Sequence, residues 1–228
     1  MRKIILILVT ILVAGCGTIG NSNISEEMDY SFLALGDSYT IGEGVEIEQS
    51  WPFQLTHRLR ERGYRVAPPR IVARTGWTSR DLIRNIDAEI DVHRDFHLVS
   101  ILIGVNNQYQ GKPRTEFEEE LREIFRKAIS HSKTRERGVF ALSIPDYSVT
   151  PFGEDNAEVI SEEIDRFNDT VRRIAEEFDV DFYNITPSSR EALNNRALIA
   201  ADSLHPSALM YRFWVDDIVE EVIEKLPG

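Results

Sequence analysis

Leu98-Val99-Ser100-Ile101-Leu102-Ile103-Gly104-Val105-Asn106-Asn107 passes from six uncharged apolar or small residues into a glycine and two asparagines. A run of that length without charge suits a central strand buried on both faces, as a parallel sheet requires. The glycine marks its end, and the asparagines bring amide groups to the point where the chain leaves the sheet.

Similar runs lie on either side. Ser31 to Leu35, Arg70 to Arg74, Val139 to Ile144 and Asp181 to Ile185 read as four further strands, and the Val139 run is stopped by Pro145. Between them the apolar period lengthens to that of a helix. Trp51–Arg62 carries Phe53, Leu55 and Leu59, and Ser79–Ile90 carries Leu82, Ile83 and Ile86 behind Ser79 as expected N-cap. Thr115–Ser132, Asn156–Phe178 and Ala208–Leu226 complete the set, and the acidic run Glu118-Glu119-Glu120 reads as a solvated helix face. Five strands alternating with helices predict a three-layer α/β/α sandwich with a five-stranded parallel sheet, flavodoxin-like. Sites in such sheets form beyond the carboxyl ends of the strands.

The chain of 228 residues, 42% hydrophobic, suits one domain with a sizeable core. Its formal charge of -12 opposes nucleic acid and anionic headgroups at long range, so no nucleic-acid partner is expected. The first residues differ from the rest. Arg2 and Lys3 precede the apolar run Ile4 to Val13, too short to span a bilayer but long enough for the core of a signal peptide. Val13-Ala14-Gly15-Cys16 resembles the lipobox of bacterial lipoproteins, in which the cysteine is lipidated and becomes the mature N-terminus. Cys16 is the only cysteine, which excludes an internal disulfide and any cysteine-rich metal site. The expected division is a signal peptide over 1–15, a tether over 16–29 and one domain over 30–228, lipid-anchored in the bacterial cell envelope.

Four segments carry chemistry. Gly36-Asp37-Ser38-Tyr39 follows the first strand and sets a serine hydroxyl in a tight turn; Asp37 reads as holding that turn by bonding loop amides. Thr75-Gly76-Trp77-Thr78 follows the second strand, where a glycine brings its N–H to a ligand unobstructed. Gly104-Val105-Asn106-Asn107 follows the third and supplies amide donors suited to an oxyanion. Ala201-Asp202-Ser203-Leu204-His205-Pro206 places a carboxylate three residues before a histidine, where it can fix the ring tautomer. Taken singly, each is a common turn; together, three fall on the expected rim and the fourth precedes the last helix. His57, His93, His97 and His131 show no metal-ligand spacing and read as exposed or locally bonded. Tyr39, Trp77, Tyr109 and Tyr147 are candidates for lining a substrate pocket.

The order and context of these segments resemble the SGNH hydrolase, or GDSL-type esterase and lipase, family from about Phe32 to Pro206. Tyr39 replaces the usual leucine of the first block. Asn107 stands where many members carry aspartate, a difference that bears on the rigidity of its loop. No G-x-S-x-G elbow is present, which argues against an ordinary α/β-hydrolase. The resemblance implies Ser38 as nucleophile, His205 as base and then acid, and Asp202 as the residue that orients His205. It implies an oxyanion hole from the amides of Ser38 and Gly76 and the side chain of Asn106, and no metal or organic cofactor.

The implied function is a serine esterase acting on short-chain or acetylated carbohydrate esters, as a monomer. A lysophospholipase and an acyltransferase are the alternatives on the same site. A non-enzymatic binding module is the least favoured reading, because it would have no use for all four groups.

Overall fold

A computed structural model describes residues 28–226 of the chain. The expected signal peptide, Cys16 and all but the last two residues of the expected tether lie outside the described residues. Asp29 already pairs with Arg65, its carboxylate 2.7 and 2.9 Å from the guanidinium nitrogens.

Five strands form one parallel sheet: β1 (Phe32–Gly36), β2 (Arg70–Ala73), β3 (Leu98–Leu102), β4 (Val139–Leu142) and β5 (Asp181–Tyr183). Their order is β2-β1-β3-β4-β5, and every neighbouring pair is parallel. Every residue of β1, β3 and β4 is buried, which explains why none of them is charged. The edge strands β2 and β5 keep exposed or half-buried positions and admit charge.

Among the described residues, eight helices connect and cover the sheet: α1 (Ser38–Ile41), α2 (Trp51–Glu61), α3 (Ser79–Glu89), α4 (Val105–Tyr109), α5 (Arg114–Ser130), α6 (Ala157–Glu177), α7 (Thr186–Arg190) and α8 (Ala208–Ile223). α2 packs on α8, while α3, α5 and α6 pack side by side, giving the expected three layers. Each long helix turns one stripe inward: Phe117, Leu121, Ile124 and Phe125 on α5, and Ile160, Ile164, Val171 and Ile174 on α6.

Local readings need three corrections. The N-cap of α3 is Thr78, not Ser79: the Thr78 hydroxyl accepts from the Asp81 N–H, and the Asp81 carboxylate accepts in return from the Thr78 N–H at 3.0 Å. This reciprocal capping box leaves Ser79 free to point into the protein. Glu120 is not part of a solvated face. It is 2% exposed, accepts from the Ser79 hydroxyl, and pairs with the Arg80 guanidinium at 2.8 Å. The third correction concerns strand ends. Ile103, Ile144 and Ile185 are buried yet lie past the last paired residues, because the apolar run continues into the packed loops at the sheet's carboxyl edge.

The order of strands reverses direction of progression between β1 and β3, which places a crevice at their carboxyl ends. The turns carrying Ser38 and Asn106 flank it.

Candidate active site

Ser38 opens the one-turn helix α1 directly after β1 and is 5% exposed. Asp37 caps that turn: its side chain accepts from the Tyr39 N–H at 3.1 Å. The carboxylate is fully buried, its other oxygen has no hydrogen-bond partner among the described residues, and burial pushes its pKa up to about 8 against the opposing Tyr39 N–H. Burial thus favours the neutral form of Asp37, which caps the turn beneath Ser38.

Across the crevice, α4 begins at Val105 and carries Asn106 in its first turn. The Asn106 amide donates one N–H to the Trp77 carbonyl at 3.0 Å. That bond ties the Asn106 turn to the loop containing Gly76 and leaves a second N–H for a bound group. Gly76 has φ +79, and a Cβ there would meet nothing within 4 Å. The glycine is thus required by its left-handed backbone and not by crowding, and it leaves the loop open to the cleft.

The two donor loops share a buried frame. The Ser79 N–H donates to Asn107 Oδ1 at 2.9 Å, Asn107 Nδ2 donates to Ser79 Oγ at 2.7 Å, and the Ser79 hydroxyl donates to Glu120. The start of α3, the start of α4 and the middle of α5 are locked together behind Gly76 and Asn106.

Asp202 and His205 lie on the loop before α8. Asp202 Oδ2 stands 2.7 Å from His205 Nδ1, and Oδ1 accepts from the backbone N–H groups of Leu204 at 3.0 Å and His205 at 2.9 Å. Burial works to raise the Asp202 pKa, but the bonds from Leu204 and His205 outweigh it and hold the carboxyl below its ordinary value. The ring of His205 packs edge-on against Tyr39 at 5.7 Å.

These groups meet in a cleft of about 150 Å³ lined by Ser38, Gly76, Asn106 and His205 together with Tyr39, Tyr109 and Tyr147. All of these were expected at the site, and Asp202 stands behind His205. Trp77 does not line the cleft, contrary to expectation. Its side chain packs against the core, and only its carbonyl serves the site, as the acceptor for Asn106. Thr75, Val105, Phe152 and Leu204 complete the lining and were not expected. Leu204 sits inside the Asp202–His205 segment and Phe152 follows a proline, but nothing local in the sequence says which way either side chain turns.

Tyr147 is held from below. Asp146 caps its turn through the Ser148 N–H at 2.9 Å, pairs with Arg190 at 2.8 Å and accepts from the Ser161 hydroxyl at 2.7 Å. Burial raises the Asp146 pKa, and these partners more than reverse that, so it remains a carboxylate. The Tyr147 hydroxyl donates to Gln108 at 2.9 Å, joining the turn to α4. A larger open depression of about 530 Å³ lies between α5 and α6, but its walls are mostly arginines and acidic residues, among them the pairs Arg173–Glu118 and Arg172–Asp169, with no histidine.

Residues 34–213 match the GDSL-like Lipase/Acylhydrolase family, and the chain belongs to it. It is a hydrolase of ester bonds. Solved structures share the fold at low sequence identity. TesA is 19% identical with a TM-score of 0.66, over 86% of this chain and 99% of its own. The psychrotrophic esterase EstA from Pseudoalteromonas sp. is 20% identical with a TM-score of 0.63, over 86% and 98%. The acetylxylan esterase Axe2 from Geobacillus stearothermophilus is 22% identical with a TM-score of 0.62, over 85% and 94%. No curated protein sequence matches the chain.

Proposed function

We propose that the protein is a serine carboxylic ester hydrolase for small acyl esters, with Ser38, His205 and Asp202 as its catalytic residues. The observation that carries this reading is the convergence of Ser38, Gly76, Asn106 and His205 on one cleft, with Asp202 bonded to His205 Nδ1. Ser38 Oγ attacks the ester carbonyl carbon while His205 Nε2 takes its proton. The carbonyl oxygen becomes an oxyanion held by the N–H groups of Ser38 and Gly76 and the side-chain amide of Asn106. Collapse expels the alcohol, which receives the proton from His205. Water, deprotonated by His205, then attacks the acyl-enzyme and frees the acid and Ser38.

A short acyl group is supported by the small cleft, walled by Val105, Leu204, Tyr39 and Tyr147. An acetylated carbohydrate is compatible with the aromatic rim, and acetylxylan esterases are among the structures sharing the fold. Tyr109 and Phe152, 60% and 50% exposed, extend that rim into solvent, which favours esters of longer acyl chains as the second reading. The deciding experiment is hydrolysis of p-nitrophenyl esters from acetate to long chains by the full-length chain and its Ser38→Ala variant, with a sugar acceptor added in parallel. Serine-dependent turnover falling with chain length supports the first reading. Turnover rising with chain length supports the second, and an acylated acceptor supports acyl transfer.

The segment Arg2 to Cys16 supports lipid anchoring in the bacterial envelope, although among the described residues no helix is long and apolar enough to cross a membrane. Cys16→Ser should move the protein from the membrane fraction to the soluble fraction. Retention in the membrane would refute the anchor.

A further inference from the structure

Glu43 takes no part in the acylation and deacylation steps, yet its carboxylate stands beside His205. Its carboxylate oxygen Oε2 stands 4.0 Å from His205 Nε2, the ring nitrogen opposite the one bonded to Asp202. The same oxygen accepts from the Thr75 hydroxyl, and Thr75 lines the cleft beside Gly76. The Glu43 N–H donates to the Ser38 carbonyl at 3.1 Å. One residue thus touches the Ser38 turn, the Gly76 loop and the His205 ring.

The backbone is shaped for this placement. Glu43 stands between Gly42 and Gly44, whose φ values are +77 and +87. A Cβ on Gly44 would approach Ala200 Cβ to 2.8 Å and Asp202 Oδ2 to 2.9 Å, so only glycine lets this turn press against the Asp202 loop. Glu43 forms no ion pair with a lysine or arginine among the described residues; its pairing partner is His205. His205 apart, the cleft lining holds no ionisable side chain other than tyrosines, and Asp202 behind it spends its oxygens on His205 and Leu204.

We propose that Glu43 is a specificity-determining residue of this ester site: its carboxylate, held beside His205 Nε2, selects against esters carrying negative charge near the scissile bond and favours neutral or cationic ones. The inference rests on the hydrolytic reading of the Ser38 cleft. An anionic group beside the reacting carbonyl is repelled by this carboxylate, which the Thr75 hydroxyl and His205 hold in place without a lysine or arginine to neutralise it. The protein's overall charge of -12 adds a weaker, diffuse repulsion that salt screens.

The test compares 3-acetoxybenzamide with 3-acetoxybenzoate, the same acetyl ester bearing a carboxamide or a carboxylate on its leaving ring. The full-length chain should show kcat/KM about three- to tenfold higher for the neutral ester, with the preference shrinking in about 0.5 M NaCl. Glu43→Gln should lower the ratio by about threefold or more, leaving the part set by the overall charge and by the two leaving groups themselves. Glu136→Gln, which removes a charge before the amino end of β4, should leave it unchanged. Because the readout is a ratio, any shared loss of rate from disturbing His205 cancels. Ser38-dependent turnover with the same ratio in Glu43→Gln and wild type would overturn the inference while sparing the esterase reading. An absence of Ser38-dependent turnover on either ester would overturn both.

Discussion

Asp202 grips both the ring and the backbone of His205: one carboxylate oxygen is 2.7 Å from Nδ1 and the other is 2.9 Å from the main-chain nitrogen. The two bonds separate under mutation. Asp202→Asn keeps an acceptor for the backbone N–H groups but offers the wrong partner to a protonated Nδ1. It should lower kcat by about 10³ to 10⁴-fold with little loss of stability. Asp202→Ala removes both and should also cost about 1–3 kcal/mol in urea unfolding. Equal activity in the Asn variant and wild type would show that the carboxylate charge plays no part.

The Asn107–Ser79–Glu120 chain makes a prediction with a definite sign. Ser79 has one hydroxyl hydrogen and gives it to Glu120, so its oxygen must receive from a donor, which Asn107 Nδ2 supplies. Asn107→Asp would set a second carboxylate against that oxygen and should destabilise the fold by about 2–4 kcal/mol at neutral pH. Adding Glu120→Gln reverses the direction of the bonds, with the introduced glutamine amide donating to the Ser79 oxygen and the introduced aspartate accepting from its hydroxyl. The double variant should therefore be more stable than Asn107→Asp alone, and a double-mutant cycle in urea measures the coupling. Additive effects would refute the bonded chain.

Asp37 predicts how stability responds to alkali. Its folded-state pKa is raised to about 8 from a usual 3.8, so between those values the folded chain holds a proton that the unfolded chain releases. Unfolding then releases a proton, and stability from this group falls as pH rises from the lower value to the higher. Asp37→Asn cannot ionise and should flatten that decline, seen as a smaller fall in Tm between about pH 5 and about pH 8. Asp202 acts in the opposite sense. Its pKa is lowered, so its contribution is present above the ordinary carboxylate range and is lost on acidification.

The sheet was legible because its three inner strands are buried on both faces and so cannot tolerate charge; Leu98 to Leu102 needs no context to be read. Strand ends were less legible, since Ile103 after β3, Ile144 after β4 and Ile185 after β5 stay apolar and buried after pairing has stopped. The residues of the site that stand in sequence motifs were readable as a set, and Ser38, Gly76, Asn106 and His205 do line one cleft. What escaped was tertiary. Glu120 belongs to an acidic run and only the approach of α3 buries it. Trp77 follows a strand like its neighbours, but its ring turns to the core while its carbonyl faces Asn106. Glu43 stands in a plain Gly-Glu-Gly turn whose purpose shows only when the Asp202 loop, far along the chain, folds against it.

The most direct test of the account is covalent labelling of the full-length chain with a fluorophosphonate, followed by peptide mass spectrometry and assay on p-nitrophenyl acetate. The account predicts one label per chain, carried by Ser38, with hydrolysis lost in step with labelling and both absent in Ser38→Ala. A label on another residue, or a Ser38→Ala variant that hydrolyses the ester at the wild-type rate, would contradict it.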